Sequence, residues 1–205
     1  MADWHSIEGS SYRLNVQYIP EDDAYNYGLY SKTASTVTLL LYAPDEYSQP
    51  VAQYTLHPYK NKSQRTWHCR LKKAELRGAV FYAYQVEGTL GDDPSYWHRF
   101  DSNKILCDPY AREIYFPLSF SRAAAIEIGS NAGKAPLGCL PIEQHAFNWE
   151  GDKPVRHAHD LVIYEMHVRG FTQHASSGIA ENKRGTFAGV IEKIPYLKEL
   201  GITAV

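Results

Sequence analysis

A two-residue period runs through the first part of the chain and restricts the folds open to it. In Arg65–Leu71, Trp67, Cys69 and Leu71 fall on one side, and Thr66, His68 and Arg70 on the other. Ala79–Gly88 repeats the pattern, with Val80, Tyr82, Tyr84 and Val86 sharing a face. Successive side chains of a strand point to opposite faces, so this period marks strands and does not fit a helix. Tyr25–Ser31, Ser35–Tyr42 and Val51–His57 add further short runs of β-branched, aromatic or apolar residues. Turn-forming stretches, "KNKS" at 60–63 and "GDDPS" at 91–95, separate the runs. This spacing predicts a mainly β chain, with an antiparallel, immunoglobulin-like β-sandwich over residues 1–115.

The pattern changes after Arg112. Residues 116–158 are rich in Gly, Pro and Asn and carry no period, which predicts an irregular connector in which Phe147 and Trp149 require burial. A third character begins at residue 159. Leu161–Val168 reads as a strand buried on both faces. Phe187, Val190, Ile191, Ile194, Leu197 and Leu200 recur at helical spacing. Thr186 is placed to cap that helix and Gly201 to end it in a left-handed residue. Pro195 lies inside the pattern, so a kink or two short helices sharing one face are expected. Ile202–Val205 opens another apolar run. Strand, helix and strand make one βαβ unit with a parallel pair and a right-handed crossover. Such a unit does not bury itself, so the chain is expected to be the N-terminal piece of something longer.

Composition removes several classes of function. The formal net charge is −2, which marks neither a nucleic-acid nor an anionic-membrane partner. No apolar run approaches the ~20 residues of a membrane span. The three cysteines, Cys69, Cys107 and Cys139, show neither metal spacing nor a disulfide framework, and a reducing cytoplasm is expected. The "HAHD" stretch at 157–160 offers two alternating histidines but no third ligand, so neither a metal nor a cofactor is expected. Tyrosine is abundant, at 16, beside 4 Trp. Rigid amphipathic rings suit both strand cores and stacking on sugars. The stacking candidates are Trp97, Trp67, Tyr82 and Tyr84, although Trp67 shares its face with Cys69 and Leu71, as a core residue would.

"VIYEMHVRGFT" (Val162–Thr172) and "RGTFAGVIEKIPYLKELGITAV" (Arg184–Val205) resemble the first strand, first helix and second strand of the barrel in the isoamylase and glycogen-debranching branch of the α-amylase superfamily, glycoside hydrolase family 13. "HRFDSNKILCDPYARE" (98–113) is similar to that family's link between module and barrel. "FNWEGDKP" (147–154) is similar to its "DW-GD-P" motif, with Asn148 where Asp is usual. "NYGLYSKTASTVTLLLY" (26–42) and the later strands resemble its carbohydrate-binding module. The resemblance implies that residues 159–205 begin a truncated TIM (β/α)8 barrel. It also implies a retaining hydrolase of α-1,6 branch linkages in α-glucans such as glycogen and starch, working through two carboxyl groups. In the family these groups stand on the fourth and fifth barrel strands, with a stabilising Asp after the seventh. The fragment is therefore expected to hold no catalytic residue and to need the remainder of the barrel as its partner. Glu165, His167 and Arg169 alternate at the end of the first barrel strand, as supports of the pocket or as an ion-pair network locking the rim. A stand-alone glucan-binding module and a branching transferase remain the alternatives, and the "VRGFT" continuation favours debranching over branching.

Overall fold

The structure, a computed structural model, describes residues 8–88, 100–141, 148–153 and 159–205. The chain divides into two compact units, residues 1–146 and 147–205.

The first unit is built on two antiparallel sheets. One runs in the order β1 (Asn15–Ile19), β2 (Ala24–Tyr30), β6 (Thr66–Lys72), β5 (Lys62–Ser63). The other runs β4 (Ala52–Thr55), β3 (Ala34–Tyr42), β7 (Phe81–Gly88), β9 (Leu137–Cys139), β8 (Ile114–Tyr115). The register follows the period-two pattern. Tyr27 pairs with Cys69 and Leu29 with Trp67, while Val37 pairs with Val86 and Leu41 with Tyr82. Pairs of this kind bring apolar side chains of adjacent strands onto one face, where they bury each other. Trp67, Cys69, Leu71 and Tyr82 are fully buried, and Tyr84 is 2% exposed. They join Tyr27, Val37, Leu39 and Leu41 in the core between the sheets.

Two features depart from a bare sandwich. The β6 face carrying His68 is covered as well: His68 is 5% exposed, with Nδ1 donating to the Glu8 carbonyl at 2.5 Å and Nε2 at 2.9 Å from Ser63 Oγ. The opposite face of the β3–β7 sheet is closed too. Leu40, Tyr42 and Ala83 pack there against Ile105, Ala135 and Leu137. The supposed connector therefore belongs in part to the first unit, where it supplies β9 and a short helix α1 (Arg122–Ile126). Gly138 makes this possible, because a Cβ there would lie 2.5 Å from the Tyr82 ring. Asn131, 3% exposed, holds the segment by bonding both the N–H and the carbonyl of Ile105.

Among its described residues the second unit holds three short α-helices: α2 (Val168–Gln173), α3 (Phe187–Glu192) and α4 (Ile194–Glu199). Thr186 caps α3, Pro195 lies in the first turn of α4, and Gly201 has φ +77°, each in its expected role. The shared apolar face is not buried here: Leu197 is buried, but Phe187 is 74% and Ile191 63% exposed. The expected strand Leu161–Val168 is corrected to a single parallel bridge, Ile163 to Ala204, flanked by Tyr164 N–H to Ala204 carbonyl at 2.9 Å. Val168 already begins a helix, because the His167 ring accepts the Gly170 N–H and caps it. Trp149, expected to be buried, is 66% exposed.

Candidate functional site

The stacking candidates divide cleanly. Trp67, Tyr82 and Tyr84 are interior, so their ring faces are not free to meet a sugar, and all three are corrected to core residues. Lys62 covers the Trp67 ring at 4.5 Å. Tyr27 and Tyr82 meet edge to face at 5.7 Å, and Tyr82 and Tyr84 at 6.0 Å. Trp97 lies outside the described residues.

Asp108 anchors this aromatic core. It is 1% exposed and accepts the Tyr82 hydroxyl and the Tyr110 N–H, each at 2.8 Å. Burial pushes its carboxyl above the usual range, against the pull of those two bonds. Nearby Cys107 is pushed up to about 11 by burial and by the charge of Asp108, so it remains a neutral thiol.

A cleft of about 910 Å³ opens beside this cluster. The end of β2 supplies Leu29, Tyr30 and Ser31, and β7 supplies Tyr84 and Val86. The remaining wall comes from 100–109 and from the end of α1 with the residues that follow it. Phe100 is held there by its fit to Gly88, where a Cβ would lie 2.3 Å from the ring. Lys104 lines the cleft while only 8% exposed, and its ammonium donates to the Ala124 carbonyl at 2.5 Å. Asp101 is committed to the turn: it accepts the Gly129 N–H at 2.8 Å and the Asn103 N–H at 3.0 Å, and these bonds hold its carboxyl below the usual range. The sequence reading missed Lys104 and Tyr30. The signal for Lys104 was a lone lysine directly before the apolar pair Ile105–Leu106.

Glu165, His167 and Arg169 are all exposed. Among the described residues, ion pairs join Arg70 to Asp22 and Lys183 to Glu192, and none joins Glu165 to Arg169. His167 works as a helix cap. The "RGFT" and "RGTFAG" segments interlock instead: fully buried Thr172 accepts the Gly185 N–H at 2.8 Å, and the Arg184 Nε–H donates to the Ile179 carbonyl at 2.8 Å. Gly189 permits the approach, since a Cβ there would lie 2.5 Å from the Lys183 carbonyl oxygen. No cluster of potential metal ligands occurs among the described residues.

Two antiparallel sheets packed around an aromatic core, with a cleft at one side, define an antiparallel β-sandwich. Residues 13–111 match the family model of carbohydrate-binding module 48, the isoamylase N-terminal domain. The chain is 35% identical over 204 residues to isoamylase 3, chloroplastic, of Oryza sativa subsp. japonica, covering 96% of this chain and 25% of that protein. It is 32% identical over 226 residues to the isoamylase of Pseudomonas amyloderamosa, covering 96% and 28%. The fold is similar to that of a pullulanase from Bacillus acidopullulyticus, with a TM-score of 0.60 at 25% identity over 95% of this chain and 21% of that one. The chain is thus similar over residues 13–111 to the isoamylase N-terminal carbohydrate-binding module 48, and over nearly its whole length to isoamylases. It spans about a quarter of the length of these curated relatives.

Proposed function

We propose that this polypeptide is the N-terminal part of a debranching hydrolase that cleaves α-1,6 linkages in glycogen or starch-type glucans. The module engages the glucan, and the second unit opens the catalytic barrel. The observation that carries this reading is the match to isoamylases over 96% of the chain, and so into both units, rather than to the module alone. The parallel bridge between Ile163 and Ala204 is what the first two strands of a barrel would begin with, and so supports it. Retaining hydrolysis requires a nucleophile and an acid/base carboxyl about 5–5.5 Å apart. In this reading neither lies in these residues, and the fragment alone is inactive.

The gene provides the test. The reading frame beyond Val205 is expected to encode further barrel strands carrying that carboxyl pair at their C-terminal ends. A frame that continues without them would contradict the proposal.

A further inference from the structure

The outer face of β2 and β6 is built to hold a piece of backbone. Strand pairing sets Asn26 opposite Arg70 and Gly28 opposite His68, so these four residues share the face turned away from the aromatic core. Residues 8–10 lie on it. Buried Asn26 clamps Ser10 twice: its Oδ1 accepts the Ser10 N–H at 2.6 Å, and its Nδ2 donates to the Ser10 carbonyl at 2.9 Å. Buried His68 donates from Nδ1 to the Glu8 carbonyl at 2.5 Å. Gly9 fits flat between them, since a Cβ there would lie 2.5 Å from the Cys69 carbonyl carbon. Each of these contacts reads a backbone atom or the absence of a side chain. The same three residues of a second copy satisfy them equally well.

The link from this segment into β1 favours release. Arg13, at φ 66°, and Asn15, at φ 85°, are both left-handed. Asparagine tolerates that conformation, whereas arginine lacks the short polar side chain that offsets the crowding. Packing imposes it: the Arg13 carbonyl oxygen lies 2.6 Å from where a Cβ of Gly28 would stand. Ser11, Tyr12 and Arg13 are exposed, so straightening them uncovers no core. β1 is an edge strand of its sheet, so a second molecule can approach there without breaking a ladder. A segment replaced by its equivalent keeps every clamp bond and sheds the left-handed link, and exchange of an identical element between copies is low in cost.

We infer that residues 8–10 are an exchangeable arm, that Ser11–Asn15 are its hinge, and that the Asn26 and His68 face of one molecule is a docking site for the arm of a second copy.

The test mixes isotope-labelled and unlabelled 205-residue chains at high concentration and reads isotope-filtered NOEs. Contacts are expected between Gly9 or Ser10 of one copy and Asn26 or His68 of the other. Sedimentation velocity is run beside it on Phe187→Ser with Ile191→Ser, which removes exposed apolar side chains of the second unit as a cause of association. A dimer is expected to persist there. Adding Arg13→Gly with Asn15→Gly relieves the left-handed link of the closed monomer and is expected to lower the dimer fraction severalfold. Both glycines enter where φ is already positive, so folding is not at risk. If the double serine variant fails to fold, the NOE measurement on the parent chain decides the matter. A monomer at every concentration, a dimer whose arm contacts are all intramolecular, or a dimer fraction unmoved by the hinge glycines would overturn the inference.

Discussion

Asp108 is a carboxyl with two donors and almost no water, and its balance sets a pH dependence. Burial raises its folded pKa above that of the unfolded chain. The fold therefore binds this proton more tightly than the unfolded chain does. The resulting contribution to stability is full below the ordinary carboxylate pKa, about 3.9, and is lost as pH rises through the raised folded value. Asp108→Asn, which removes the titration, is accordingly expected to gain on the parent chain between pH 4 and pH 7, read as urea midpoints. An unchanged difference between the two pH values would contradict this. Tyr82→Phe removes one of the two donors and is expected to cost about 1–3 kcal/mol at pH 7 by the same measurement. None of this was legible beforehand. The alternation placed Tyr82 on the inner face, but nothing local to Asp108 reveals that it turns inward to meet a strand far away in sequence.

Among the elements, the strands were the readable part, because each is specified by its own alternation. β2, β3, β6 and β7 lie where the period placed them, with ends shifted by a residue or two. The two strands of the outer edge, β8 and β9, have no such pattern. Leu137–Cys139 becomes a strand because Gly138 lets the backbone lie against the Tyr82 ring, a tertiary fact. Gly138→Ala is therefore expected to cost about 1–3 kcal/mol in urea denaturation, since the buried ring has nowhere to move. In the second unit, caps and the proline break were legible, whereas the paired extent of Leu161–Val168 was not. Its apolar run resembles a buried strand, but the His167 cap turns the chain into α2. Thr172→Val keeps the shape while removing the acceptor of the Gly185 N–H. It is expected to speed hydrogen exchange at Gly185 severalfold or more and to destabilise α2 against α3 by about 1–3 kcal/mol.

At the scale of the whole molecule, the two units bury themselves unequally. The sandwich encloses its aromatic core, while residues 159–205 leave Ile163, Phe187, Ile191 and Val205 between 63% and 74% exposed. Apolar surface of this extent drives association, so the chain is expected to self-associate in sedimentation velocity as concentration rises. Phe187→Ser with Ile191→Ser is expected to reduce that association without unfolding the sandwich. The similarity to isoamylases was legible in the sequence because the matching motifs run through both units. Burial of the stacking candidates was not: the fold consumes Trp67, Tyr82 and Tyr84 in its core, and Trp97 lies outside the described residues. The most direct measurement of the central claim is a paired assay of the 205-residue chain with glycogen, with co-sedimentation for binding and release of reducing ends for hydrolysis. Binding without hydrolysis is the result expected of a glucan-holding module joined to the opening of a barrel. Hydrolysis by this chain would contradict it, because a nucleophile and an acid/base pair would then have to lie within these residues.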